Sequence, residues 1–229
     1  MSRVGVAVLD LRAEQPNPPP PVRGKVKHKI YRGKVVRRDH SKITGVTVHQ
    51  TACIFGPKND LRARHRRALG VACHALAFGA DRTVVLANPL DWYVYHGNLF
   101  NAYELGLEIE GHFPGLEDDP ATTPRREDLA TIWGGKAPSK ITTDTVDTAR
   151  EALRLLVTLG REEGMPIEFI HAHRQSSGTR RSDPGQGLWK AVVLDYAVPV
   201  LGLKTQPWRA IGEGRTIPKK WDPQGVGPY

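Results

Sequence analysis

The stretch ITGVTVHQ, residues 43–50, is built from β-branched and apolar residues and ends on two polar ones. A short apolar run of this kind reads as a buried strand. A strand with a polar end puts His49 at the rim of a sheet, where a rigid scaffold can present a side chain to solvent. Two more predicted strands end the same way: WYVYHG (92–97) in His96, and IEFIHAH (167–173) in His173. ELGLEIEG (104–111) alternates as a fourth, with Glu108 and Glu110 on one face.

Around these, VACHALAF (71–78) and RTVVLANP (82–89) flank the turn GADR and predict a hairpin. DLRARHRRAL (60–69) predicts a short basic helix, and REDLATIW (126–133) another short helix. In TTDTVDTAREALRLLVTLGREEG the apolar positions Val146, Ala149, Leu153, Leu156 and Val157 follow helical spacing behind a Thr/Asp start. LWKAVVLDYAV (188–198) reads as the last helix. Strands and helices alternate only loosely, which predicts an α/β fold: a single domain with a central mixed β-sheet flanked by helices. That domain spans 38–200. Residues 1–37 read as a Pro-rich arm (PNPPPPV, 16–22) followed by a basic hairpin, KVKHKIYRGKVVRR (25–38). Residues 201–229 form a Pro- and Gly-rich tail, with Trp208 and Trp221 expected to strap it onto the domain.

The chain has 229 residues, enough for one sizeable core, and 39% hydrophobic with 25% charged residues fits a globular protein. No apolar run approaches the ~18 residues of a membrane span. The N-terminus, MSRVGVAVLDLRAEQ, is a poor secretory signal, so the expected site of synthesis is the cytoplasm. Cys53 and Cys73 are too few for a disulfide framework, and a bridge between them is not implied. The net charge of +9 favours a polyanionic partner: an anionic cell envelope, a membrane surface or nucleic acid. DLRARHRRAL permits nucleic-acid binding, but no recognised nucleic-acid motif accompanies it, so no specific nucleic acid is expected.

HAHRQSSGTRRSDPG (171–185) carries the densest chemistry. Two neutral imidazoles and one carboxylate suit Zn²⁺ and leave a fourth position for water, whose pKa falls to roughly 7 when so bound. Asp183 stands before Pro-Gly, where a turn can fix its carboxylate. His171 and His173 share a strand face, so spacing alone does not choose between them. His74 within VACHALAF reads as a packed residue behind the site.

In this order the motifs resemble the zinc-dependent N-acetylmuramoyl-L-alanine amidases of the type-2 amidase and peptidoglycan-recognition-protein group. VTVHQTA, YHG, LGLEIEG and HRQ…RRSDPG carry the likeness, and GVACHALAFGADRTV looks like the family's strand pair; together they cover about 43–190. The resemblance implies zinc ligands His49, His173 and Asp183, with His173 taken over His171. It implies Glu108 as the catalytic glutamate, Arg181 as the oxyanion-stabilising cation, and His96, His74 and Thr51 at the substrate pocket. The first motif reads His49-Gln50-Thr51 where the family has His-His/Asn-Thr/Ser. Arg181 replaces the family's usual Lys, and Cys73 stands where some phage members carry a catalytic Tyr, which favours the Glu108 route. Some relatives have lost a zinc ligand and do not cut; all three stand here, so catalysis is expected. The implied substrate is peptidoglycan, cut between N-acetylmuramic acid and L-alanine. With the basic charge this suggests an endolysin-like monomer acting on the wall after release, and a cytoplasmic anhydro-muropeptide recycling amidase or a non-catalytic wall-binding module are the alternatives.

Overall fold

A computed structural model describes residues 5–57, 59–116, 119, 121–122, 138–207 and 214–229. The helix expected at 126–133 and Trp208 lie outside these residues. Eight strands are described: β1 (Ala7–Asp10), β2 (Ile30–Tyr31), β3 (Lys34–Val35), β4 (Gly45–Gln50), β5 (Ala75–Phe78), β6 (Thr83–Leu86), β7 (Glu104–Ile109) and β8 (Phe169–Ala172). Six of them form one mixed sheet in the order β1-β6-β5-β7-β4-β8, and β2 and β3 make a separate hairpin. β4 lies between β7 and β8 and is parallel to both; β5 is parallel to β7 and antiparallel to β6. This is the α/β fold with a central mixed sheet that the sequence predicts.

Alternation along β4 divides the molecule. Val46 and Val48 face the main core with Leu105, Leu107, Ile109, Ile170 and Ala172, all buried. Helix α2 (Thr143–Glu162) covers that face through Ala149, Ala152, Leu153 and Leu156. Its Thr142 side chain accepts from Thr145 N–H, satisfying one of the open donors of the first turn. After the short α3 (Gln186–Leu188) the chain continues as a π-helical stretch, Trp189–Ala197, which packs on the same core. Beside the basic helix α1 (Leu61–Arg66) lies a smaller cluster of Leu11, Ala68, Cys73, Leu76, Phe78 and Val85. The other face of β4, β7 and β8 carries Thr47, His49, Glu104, Glu108 and His171.

Two segments differ from the sequence expectation. Residues 7–10 are not only an arm, because β1 joins the central sheet parallel to β6. WYVYHG does not join that sheet. Its backbone is bonded along one edge to the basic arm: Tyr95 N–H to Lys27 O, Lys29 N–H to Tyr93 O, Tyr93 N–H to Val36 O, and Arg38 N–H to Asp91 O. The arm thus follows 91–95 on both sides of the point from which the β2–β3 hairpin juts out. Positive φ at Arg32 and Gly33 closes that hairpin. The tail does strap: Trp221 is 0% exposed and belongs to the main core. Neither cysteine is in a disulfide, and among the described residues no helix is long and apolar enough to cross a membrane.

Candidate metal centre

In the parallel ladder His49 stands opposite Glu108, and on its other side Thr47 stands opposite His171. Continuing that register two positions brings His173, just beyond β8, beside His49. His171 is engaged elsewhere: its Nδ1 bonds the Glu104 carboxylate, which also accepts from Thr47 Oγ1 at 2.5 Å. The ladder therefore separates two histidines that sequence spacing leaves equivalent.

His49 Nδ1, His173 Nδ1 and Asp183 Oδ2 converge, with edges of 3.0, 2.9 and 3.9 Å. Ligand atoms on a tetrahedron with bonds of roughly 2 Å lie about 3.3 Å apart, so the triangle has the size of a zinc face. Among the described residues these three form the group of His, Cys, Asp and Glu able to hold a metal ion, and all are buried. Proton placement supports the same reading. The Glu104 carbonyl can only accept, so His96 Nε2, 3.1 Å away, carries a proton. That leaves His96 Nδ1 bare to accept from His49 Nε2 at 3.2 Å, and His49 Nδ1 is then a lone pair aimed at His173 and Asp183. Burial, reinforced by the positive charge of neighbouring groups, holds His49 well below the usual histidine range, and burial takes His96 down to about 3. Asp183 is aimed as well, because its Oδ1 accepts from Gln50 N–H at 2.9 Å and leaves Oδ2 for the imidazoles. Such partners behind a ligand fix its orientation and raise its donor quality. The residues fit zinc.

Glu108 lies at the floor of the same cleft, with Oε2 enclosed and without a hydrogen-bond partner. Burial first, then the charge of Asp183, pushes its carboxyl well above the ordinary range, while Arg180 and Lys27 oppose the rise. The cleft encloses about 1350 Å³ and is strongly basic. Arg23, Lys25 and Lys27 come from the arm, Arg66 and Arg67 from the end of α1, and Arg180, Arg181 and Arg215 from the loop after β8 and the tail. Among the described residues, the carboxylates lining it are Glu108 and Asp183.

The other predicted residues divide. Arg181 and Thr51 line the cleft; Thr51 Oγ1 donates to Cys53 O at 2.7 Å and accepts from Gly111 N–H at 3.1 Å. His96 lines it too, but it is 6% exposed and bonded to His49. Its side chain packs close on β7, where a Cβ at Gly106 would come 2.7 Å from His96 Cγ. His74 is packed, as its place in VACHALAF predicts, and is not at the substrate pocket where the resemblance puts it: it is 0% exposed, its Nδ1 accepts from Gly106 N–H, its Nε2 faces Trp92 O and Arg38, and it does not line the cleft.

Sequence reasoning missed three residues. Arg180, one position before Arg181, is the guanidinium whose charge reaches both His49 and Glu108. Lys27 enters from the arm. Gln50 ties the loop to the sheet, with its Nε2 donating to Ser182 O at 2.7 Å and to Phe113 O at 2.5 Å. The sequence signal for Gln50 was its place beside His49 on the opposite strand face; for Lys27 there was only the charge of the arm.

The sequence matches no protein-family model and no curated protein. Solved structures do resemble it. The Drosophila protein PGRP-LB matches over 87% of this chain and 96% of its own, at 13% identity and a TM-score of 0.49. The Ph2119 endolysin from the Thermus scotoductus MAT2119 bacteriophage Ph2119 matches over 80% and 97%, at 16% identity and a TM-score of 0.38. Drosophila peptidoglycan recognition protein SD matches over 83% of this chain and 95% of its own, at 17% identity and a TM-score of 0.50. That last superposition, together with the six-stranded mixed sheet, shows a chain with the fold of a peptidoglycan recognition protein.

Proposed function

We propose that the protein is a zinc-dependent N-acetylmuramoyl-L-alanine amidase that cleaves peptidoglycan. The observation that carries this reading is the convergence of His49 Nδ1, His173 Nδ1 and Asp183 Oδ2 beside the enclosed carboxyl of Glu108. A zinc ion held by those three side chains supplies a Lewis acid and lowers the pKa of water to about 7.

The chain's own groups do the rest. Glu108 takes the proton of the attacking water and delivers it to the departing amine of L-alanine. The Arg180–Arg181 pair offers positive charge to the oxygen that becomes negative as the carbonyl is attacked. His96 holds the His49 ring in one tautomer, and Gln50 holds Asp183. The basic cleft suits a substrate whose stem peptides carry carboxylates. In this reading the enzyme acts as a monomer, is made in the cytoplasm and meets the wall after release.

The test is mass spectrometry of sacculi digested with the purified protein, alongside its metal content. New L-alanine amino termini and about one zinc per chain are expected. Sacculi that sediment the protein without gaining amino termini would leave a wall-binding module and remove the amidase.

A further inference from the structure

Segment 91–95 has two faces. Trp92 and Val94 point inward, packed with Val35 and Ala72. Tyr93 and Tyr95 point the other way, their rings 5.7 Å apart at 71°. Lys29 Nζ sits 5.1 Å from the centre of the Tyr93 ring. Tyr95, 46% exposed, lines the cleft together with Lys27, to whose carbonyl its N–H is bonded. The outer face therefore begins at the cleft mouth with Lys27 and Tyr95 and runs outward past Tyr93 to Lys29.

We propose that this strip of two tyrosines and two lysines is a platform for the glycan strand, making polymeric peptidoglycan the substrate in preference to soluble fragments. The proposal rests on the amidase reading for the identity of the polymer. Three observations favour a polysaccharide with carboxylates. First, the exposed Tyr95 and the half-buried Tyr93 beside it present apolar rings, which suit the apolar faces of sugar rings. Second, the lysines complement the lactyl-linked peptides' carboxylates, and from Gln15 to Arg38 the arm contains no acidic residue at all. Third, the strip is continuous with a cleft of about 1350 Å³, above the ~300–1000 Å³ of small-ligand pockets. A soluble muropeptide would be held within the cleft and would not extend to Tyr93, which lies outside its lining.

The full chain carrying Tyr93→Ala with Lys29→Gln, and separately Tyr93→Phe, is compared with the parent on three readouts. These are sedimentation with purified sacculi (zinc-stripped protein included), turnover of sacculi, and turnover of a soluble disaccharide-tripeptide. The double variant should bind sacculi about tenfold more weakly and show a KM on sacculi raised to match. Its kcat, its rate on the soluble fragment and its melting temperature should be kept, and Tyr93→Phe, which retains the ring and loses only the hydroxyl, should bind sacculi more tightly than the double variant. Unchanged sedimentation of the double variant overturns the platform, as does an equal loss on both substrates. Salt-sensitive DNA retention that outcompetes sacculi would also overturn it. If the parent releases no L-alanine termini yet binds sacculi through Tyr93, the amidase reading falls and the platform stands.

Discussion

His96 is hydrogen-bonded to His49 behind the candidate metal centre, and that makes its role separable from that of Glu108 by experiment. Removing the imidazole in His96→Ala frees the His49 ring to rotate and to move its proton onto Nδ1. Zinc affinity should fall by roughly 10–100-fold, read by competition with a chromogenic chelator. Glu108→Gln should do the reverse: zinc is retained at the parent's stoichiometry while turnover of sacculi drops by at least about 100-fold. A Gln variant with full rate would remove Glu108 from the chemistry. The ligand set itself was legible in the sequence because its motifs come in a recognisable order, ending in HRQ and SDPG. The proton relay was not. His96 reaches His49 because the chain crosses Gly106, a contact between residues 47 positions apart that only the folded sheet creates.

At the level of elements, the tail and the loop after β8 act together. Arg174 lies over the Trp221 ring at 5.0 Å, donates to Thr216 O at 3.0 Å and bonds the carbonyl of Arg181. Trp221→Ala should therefore cost about 3–5 kcal/mol of stability in a denaturant melt. Because the loop it supports carries Arg180, Arg181 and Asp183, zinc retention should weaken as well. Leu153→Ala in α2, on the far face of the sheet, provides the contrast: about 2–5 kcal/mol lost, with zinc affinity of the folded protein kept. The strong alternation of β4 and β7 and the helical spacing of α2 made these elements readable. β1 was hidden because GVAVLD precedes a proline run and reads as part of a flexible arm until β6 is there to pair with it. WYVY had the composition of a strand, and its pairing partner turned out to be the arm and not the sheet.

For the molecule as a whole, burial depresses His28, His49, His74 and His96 below the usual histidine value of 6.5. A base depressed by folding binds fewer protons folded than unfolded, so stability rises with pH between the folded and unfolded pKa values. For His96 that window runs from about 3 to 6.5. Metal-free protein should accordingly lose stability as pH falls from 7 to 5, each group contributing up to about 1.4 kcal/mol per pH unit. Thermal melts across that range check it in the Glu108→Gln background, which removes the raised carboxyl that acts in the opposite sense, and a flat profile there would contradict the neutral, enclosed imidazoles. The parallel pairing of β1 with β6 has a different kind of consequence. Deleting residues 5–11 would strip four residues of ladder from Thr83–Leu86 and leave a hydrophobic, Val-rich border with unpaired amides. Such a border recruits strands from other molecules. The shortened chain should therefore associate with itself in a concentration-dependent way on light scattering, even with its histidines and their carboxylate untouched.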